Sequence, residues 1–197
     1  MVGNDVVDLA DPEVRSGPAH PRFDARVFAP VEREALRTSG EPNRLRWMLW
    51  AAKEAAYKLL KKCDPKLAFS PARFVVALDG SLRGEVVHAK RTLCVSLRTE
   101  ADALHAVATN DAHYAARVVS AVGVAPEPLD PSTAVRALAV RTLAERLGLP
   151  STAFRLGRRA RIPTLEVAGL AAPLDLSLSH HGRFVAFASV LGGAAAA

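Results

Sequence analysis

Apolar and polar positions alternate along this chain with two different periods, and the changes from one period to the other outline its elements. At about 100° per residue, Met48, Leu49, Ala52, Ala55, Ala56, Leu59 and Leu60 form one stripe, with Trp47, Trp50, Glu54, Lys58 and Lys61 opposite. The spacing predicts an amphipathic helix that opens at Pro42, runs to about Lys62 and stops before Asp64-Pro65. A shorter helix is expected from Pro30 through VEREALR to Ser39-Gly40. The stretches VGNDVVDL, RFVVAL, EVVHA, TLCVSLR, ALHAVAT and YAARVV, punctuated by turn residues such as Asp79-Gly80, read as strands of an antiparallel meander.

Val122 to Pro131, VGVAPEPLDP, has the proline, glycine and acid content of a linker, which places a subdomain boundary there. Beyond it, Asp130 as N-cap and Pro131 at the first turn launch a long periodic helix ended by Gly148. An Arg-rich loop, RLGRRARIP, follows. TLEVA, LDLSLS and FVAFASV then read as strands, the last two joined at His180-His181-Gly182. The similar endings ALHAVAT and RFVAFAS hint at an internal duplication. The terminal GGAAAA reads as a frayed tail.

At 197 residues and 50% hydrophobic content the chain can bury a real core, so disorder is excluded for most of it. Lysine and arginine total 26 against 20 acids, a net charge of +6, which points to an anionic partner: nucleic acid, a phosphorylated cofactor or an acidic protein. With 6% aromatics and no stacking platform or groove-reading helix, nothing beyond charge supports nucleic acid. Cys63 and Cys94 stand far apart without a CxxC, which argues against zinc or a disulfide framework and suits a reducing compartment. The acidic start and the lack of a long apolar run predict a cytoplasmic protein that does not cross a membrane.

Candidate chemistry sits in four places. Asp5, in an apolar strand, needs a partner or a metal, or else caps an Asn-Asp turn. Glu54 is the natural second carboxylate for magnesium, which is held by one or two acids and completed by water and phosphate oxygens. Glu54 and Lys58 also fit an ordinary i,i+4 pair on a wet helix face, but two indoles on that face argue that something covers it. Arg155, Arg158, Arg159 and Arg161 suit bidentate phosphate contacts or a solvated basic loop, and Ser179, His180, His181 and Arg183 crowd donors at a strand end. There is no GxSxG, no P-loop and no paired nucleophile and base.

Together, VGNDVVDL at 2–9, LWAAKEAAYK at 49–58 and LSLSHHGRFVAFA at 176–188 resemble the 4′-phosphopantetheinyl transferase superfamily. In that family a GxD strand, a WxxKExxxK helix and an S-H turn bind coenzyme A and magnesium. The resemblance implies an α+β fold of two similar, pseudo-symmetric halves, each a small antiparallel sheet packed with helices. Residues 1–121 would be the metal-binding half, 122–131 the linker and 132–197 the coenzyme A-binding half. It further implies that the 4′-phosphopantetheine arm of coenzyme A moves to a serine of an apo acyl or peptidyl carrier protein, with adenosine 3′,5′-bisphosphate released. Asp5 and Glu54 would hold Mg2+, and Asp5, Glu54 and Lys58 would be catalytic. Lys58, Ser179, His180, Arg158, Arg159 and Arg161 would bind the cofactor.

Here the S-H turn follows the GxD strand, whereas in the two-half enzymes it precedes it. The order implies a circular permutation and one active site between the halves of a monomer; an elongated trimeric synthase is the alternative. Val7 stands where the two-half enzymes carry a second acid, and Asp8, one residue on, is similar to the short class. The Gly-basic-Pro signature is loosened to Gly157 through Pro163. A non-catalytic homologue that binds coenzyme A or a carrier, and a basic nucleic-acid-binding module, are the other function classes considered.

Overall fold

A computed structural model describes residues 1–17, 20, 22–160 and 162–191. The first expected strand, β1 (Val2–Asp8), is buried along its whole length because it is sandwiched on both faces. Odd positions face a long helix and even positions face a second sheet, as the two-residue period of a strand requires.

Two single-turn helices that the sequence reading missed, α1 (Pro12–Arg15) and α2 (Phe23–Val27), precede the two expected ones, α3 (Pro30–Thr38) and α4 (Pro42–Cys63). Strands β2 (Phe74–Leu78), β3 (Arg83–His88), β4 (Arg91–Glu100) and β5 (Ala103–Thr109) form the meander, and β1 closes it in the antiparallel order β1-β5-β4-β3-β2. The core lies between this sheet and α4, whose Ala51, Ala52, Ala55 and Ala56 are wholly buried. Those alanines and Gly3 let helix and strand backbones touch: a Cβ on Gly3 would lie 2.0 Å from the carbonyl oxygen of Ala55.

Lys53 anchors α4. Its Nζ reaches Glu32 Oε2 of α3 at 2.7 Å with both side chains almost wholly buried, and it also donates to the carbonyls of Pro71 and Phe74. Glu32 in turn accepts from the N–H groups of Ala29 and Val76 at 2.7 and 2.8 Å. Burial lowers the Lys53 pKa, while Glu32 opposes that shift by hydrogen bond and charge.

The second part departs from the expected layout in two places. Where YAARVV was expected as a strand, Asp111 caps a turn, α5 (Ala112–Ala115), and the strand begins later as β6 (Val118–Val124). Val122 to Val124, expected in the linker, are therefore strand, paired with β10 (Phe184–Val190) over its whole length. The ladder ends at Ala125, whose N–H still bonds Arg183 O, because Pro126 has no N–H to continue it. Helix α6 (Pro131–Leu147) starts and stops as expected: Asp130 accepts from Thr133 N–H, and Gly148 adopts φ 64°.

The Arg-rich segment is not a loop. It forms a hairpin of β7 (Phe154–Arg159) and β8 (Ile162–Val167), with Ala160 at its tip in the left-handed region, φ 47°. Strand β9 (Asp175–His181) completes the three-stranded sheet β6-β10-β9, on which α6 packs. The result is α+β, with antiparallel sheets packed against helices. Among the described residues no helix is long and apolar enough to cross a membrane. Arg161 and the terminal GGAAAA lie outside the described residues.

Candidate active site

The polar face of α4 meets β1 at an ion pair. Lys58 Nζ lies 2.7 Å from Asp5 Oδ1, with the two side chains 30% and 12% exposed. Glu54 sits one turn earlier on that face and has no hydrogen-bond or ion-pair partner among the described residues. Burial pushes its carboxyl up to about 7; Lys58 pulls it down and the Asp5 charge adds to the rise.

A half-buried carboxylate without a partner, next to a second one, is a donor set suited to a hard divalent cation completed by water and phosphate oxygens. Among the described residues no third His, Cys, Asp or Glu joins them. Because folding raises Glu54 above its ordinary 4.5, the native chain keeps a proton that the unfolded chain has released, so stability falls as pH rises from about 4.5 to about 7. In divalent-free buffer, Glu54→Gln is expected to flatten that part of the pH dependence of Tm. Equal slopes for variant and wild type would show that Glu54 is not held in this environment.

What covers the indoles is the chain itself. Trp47 Nε1 donates to Val14 O at 3.0 Å, the Phe23 ring packs at a tilt 6.0 Å from Trp47 and 5.8 Å from Trp50, and Phe69 meets Trp50 edge-on at 5.9 Å. The segment carrying α1 and α2 thus replaces the partner or ligand that the sequence left open for this end of the face.

β9 runs along β1 and ties the third motif to the first. Asn4 N–H donates to Ser177 Oγ at 2.9 Å, and Asn4 Nδ2 donates to Ser179 Oγ at 2.8 Å. At one end, Lys62 Nζ bridges Val2 O and Asp175 Oδ1, both at 2.6 Å. At the other, Arg183 grips Asp8 through two bonds of 2.7 Å and holds that carboxyl at about 2, while Asp8 N–H donates to His181 Nδ1. Gly182 is required at this turn, since a Cβ there would lie 2.7 Å from Asp8 Oδ2. Asp8 is thereby committed to holding the two motifs together.

Beside the Lys58–Asp5 pair opens a cleft of about 500 Å3, lined by Tyr57, Lys58, Lys61 and Lys62 of α4, the tip of the β7–β8 hairpin, and Ser177 and Leu178. Its charge comes from three lysines, of which sequence reasoning singled out Lys58 as a functional residue; Lys62 follows it by one turn and shared its signal. Ser179 is buried, with its hydroxyl between Asn4 and Ala186 O, and His180 is exposed at the end of β9. Arg158 and Arg159 are exposed near the hairpin tip, next to Ala160, which lines the cleft. The structure thus brings Asp5, Glu54 and Lys58 together, leaves Arg158 and Arg159 exposed near the hairpin tip, and turns Ser179 inward, while Arg161 lies outside the described residues.

A family model described as ACPS, 4′-phosphopantetheinyl transferase superfamily, matches residues 1–118, more than half of the chain. No curated protein matches it. Among solved structures, an apo-ACPS from Chronobacterium ammoniagenes is 24% identical, covering 55% of this chain and 93% of that one at a TM-score of 0.44. An ACPS-CoA complex from the same organism is 23% identical with the same coverage and TM-score. The holo-[acyl-carrier-protein] synthase of Neisseria meningitidis is 19% identical, covering 54% of this chain and 94% of that one, again at 0.44.

Proposed function

From the 4′-phosphopantetheinyl transferase superfamily, to which the chain belongs, we propose that it moves the 4′-phosphopantetheine arm of coenzyme A onto a serine of an apo carrier protein and releases adenosine 3′,5′-bisphosphate. The observation that carries this reading is the unpaired Glu54 beside the Asp5–Lys58 pair at a lysine-lined cleft. The nucleophile in this reading is the serine hydroxyl that the carrier protein brings.

Lys58 and Lys61 present positive charge to the nucleotide phosphates, while Lys62 stays paired with Asp175 at the cleft wall. Arg158, Arg159, Arg161 and His180 are the further donors proposed for the same phosphates. Asp5 and Glu54 hold Mg2+, which when bound neutralises the pyrophosphate and polarises the phosphorus under attack. Lys58, paired with Asp5 and lining the cleft, would be the cation for the phosphates and the leaving nucleotide. The meeting of β1 and β9 of one chain supports one active site within a monomer, with an elongated trimer as the alternative.

Intact-mass spectrometry of apo carrier proteins incubated with this protein, coenzyme A and magnesium tests the reading. A gain of one phosphopantetheine is expected; no gain on any carrier, with coenzyme A still bound, would mark a binding homologue instead. The +6 charge is expected to steer an acidic carrier, so its KM should rise several-fold between about 50 mM and about 500 mM salt while kcat stays level. A salt-independent KM would remove charge steering from the account.

A further inference from the structure

On the face of the five-stranded sheet turned away from α4, paired positions of β4 and β5 carry side chains that the proposed transfer does not use. Ser96 lies opposite Val107, and Arg98 opposite His105. α5 and β6 stand over them, leaving a cavity of about 600 Å3 whose far wall includes Ala115 and Val118. That volume is typical of a small-molecule site. Arg83, Arg98 and His105 line it, and no carboxylate does among the described residues.

His105 supplies an independent observation. Its ring is 1% exposed, and its Nε2 lies 3.2 Å from Asn4 Nδ2, whose other hydrogen goes to Ser179. With the Asn4 amide in this orientation Nε2 accepts and Nδ1 carries the ring hydrogen. That Nδ1 is buried and has no partner, and Asn4 Oδ1 is likewise buried without one. Burial foremost, with Arg98 and Lys58 nearby, pushes the imidazole down to about 3, so the ring is a neutral donor. Buried polar atoms are almost always satisfied in folded proteins, and the residue that carries this one lines the cavity.

We propose that this cavity binds a small organic carboxylate with a short apolar body. The carboxylate engages the Arg98 guanidinium and the His105 Nδ1–H, and the body lies over Val107, Val118 and Ala115. A bare inorganic anion would leave that apolar wall wet, and a cation would meet Arg83 and Arg98. None of these residues belongs to the Asp5, Glu54 and Lys58 group, so the proposal stands or falls separately from the transferase reading.

The test is a titration of the full chain with hexanoate, followed by the ring resonances of His105 in a histidine-labelled sample. A saturable shift with a dissociation constant of about a millimolar is expected for so small a ligand. Arg98→Gln should weaken binding about tenfold by removing a charge-assisted bond, and Ala115→Phe, which fills the cavity, should abolish the shift. Hexylamine should give none. No saturable shift in the tens of millimolar, an equal response to hexylamine, or a shift that both variants leave unchanged would overturn the proposal.

Discussion

Glu54→Gln is expected to lower phosphopantetheine transfer by about a thousandfold, ~4 kcal/mol in the barrier, without loss of fold. The amide is nearly isosteric, so packing on α4 is preserved, but it cannot supply the anionic oxygen that a divalent cation requires. The folded chain already disfavours the ionised form of Glu54, whose carboxyl is held at about 7, so the substitution also relieves a cost above that pH. The check pairs intact-mass rates on an apo carrier with thermal melts at neutral pH. Lys58→Ala should lose activity comparably, since it strips Asp5 of its ion-pair partner and the cleft of a cation. If either variant transfers within about tenfold of wild type, the roles given to this pair are wrong.

Glu32→Ala should produce the largest loss of stability, about 3–5 kcal/mol, because it leaves the Lys53 ammonium buried without its countercharge. It also orphans the N–H groups of Ala29 and Val76. Against a total stability of about 5–15 kcal/mol, such a loss threatens the whole domain. A double change to Lys53→Met and Glu32→Leu should recover much of it, since neither charge then remains to be desolvated. Denaturant midpoints of the three variants decide the matter. A single-variant loss under about 1 kcal/mol would mean that the pair is solvated and does not anchor α4.

Much of the site was legible because its logic is local. Glu54 and Lys58 are one turn apart on one helix, so periodicity alone puts them on one face, and the strand pattern of VGNDVVDL already implied that Asp5 was buried. Lys53 was harder to read: a lysine beside Glu54 looks like another surface charge, and only the arrival of Glu32 from α3 and the carbonyls of Pro71 and Phe74 makes it a buried anchor. The Arg-rich stretch read as a loop because its charges hide the apolar alternation of Phe154 and Leu156, which pair across the hairpin with Val167 and Leu165. Val122 to Val124 read as linker because glycine and nearby prolines signal a turn, while the strand there depends on β10, some sixty residues away in sequence.

By itself the sequence determined the long helices, most strands, an antiparallel meander and the helix face shared by Glu54 and Lys58, because each follows from local spacing and turn signals. Only the tertiary structure decided what each group faces. It covered Trp47 and Trp50 with the chain's own α1–α2 segment, committed Asp8 to Arg183 and Ser179 to Asn4, and gathered Lys61 and Lys62 into the cleft with Lys58. Those outcomes rest on contacts between residues up to 175 positions apart. No periodicity encodes such contacts; they are chosen by which buried polar groups can satisfy one another once the elements pack.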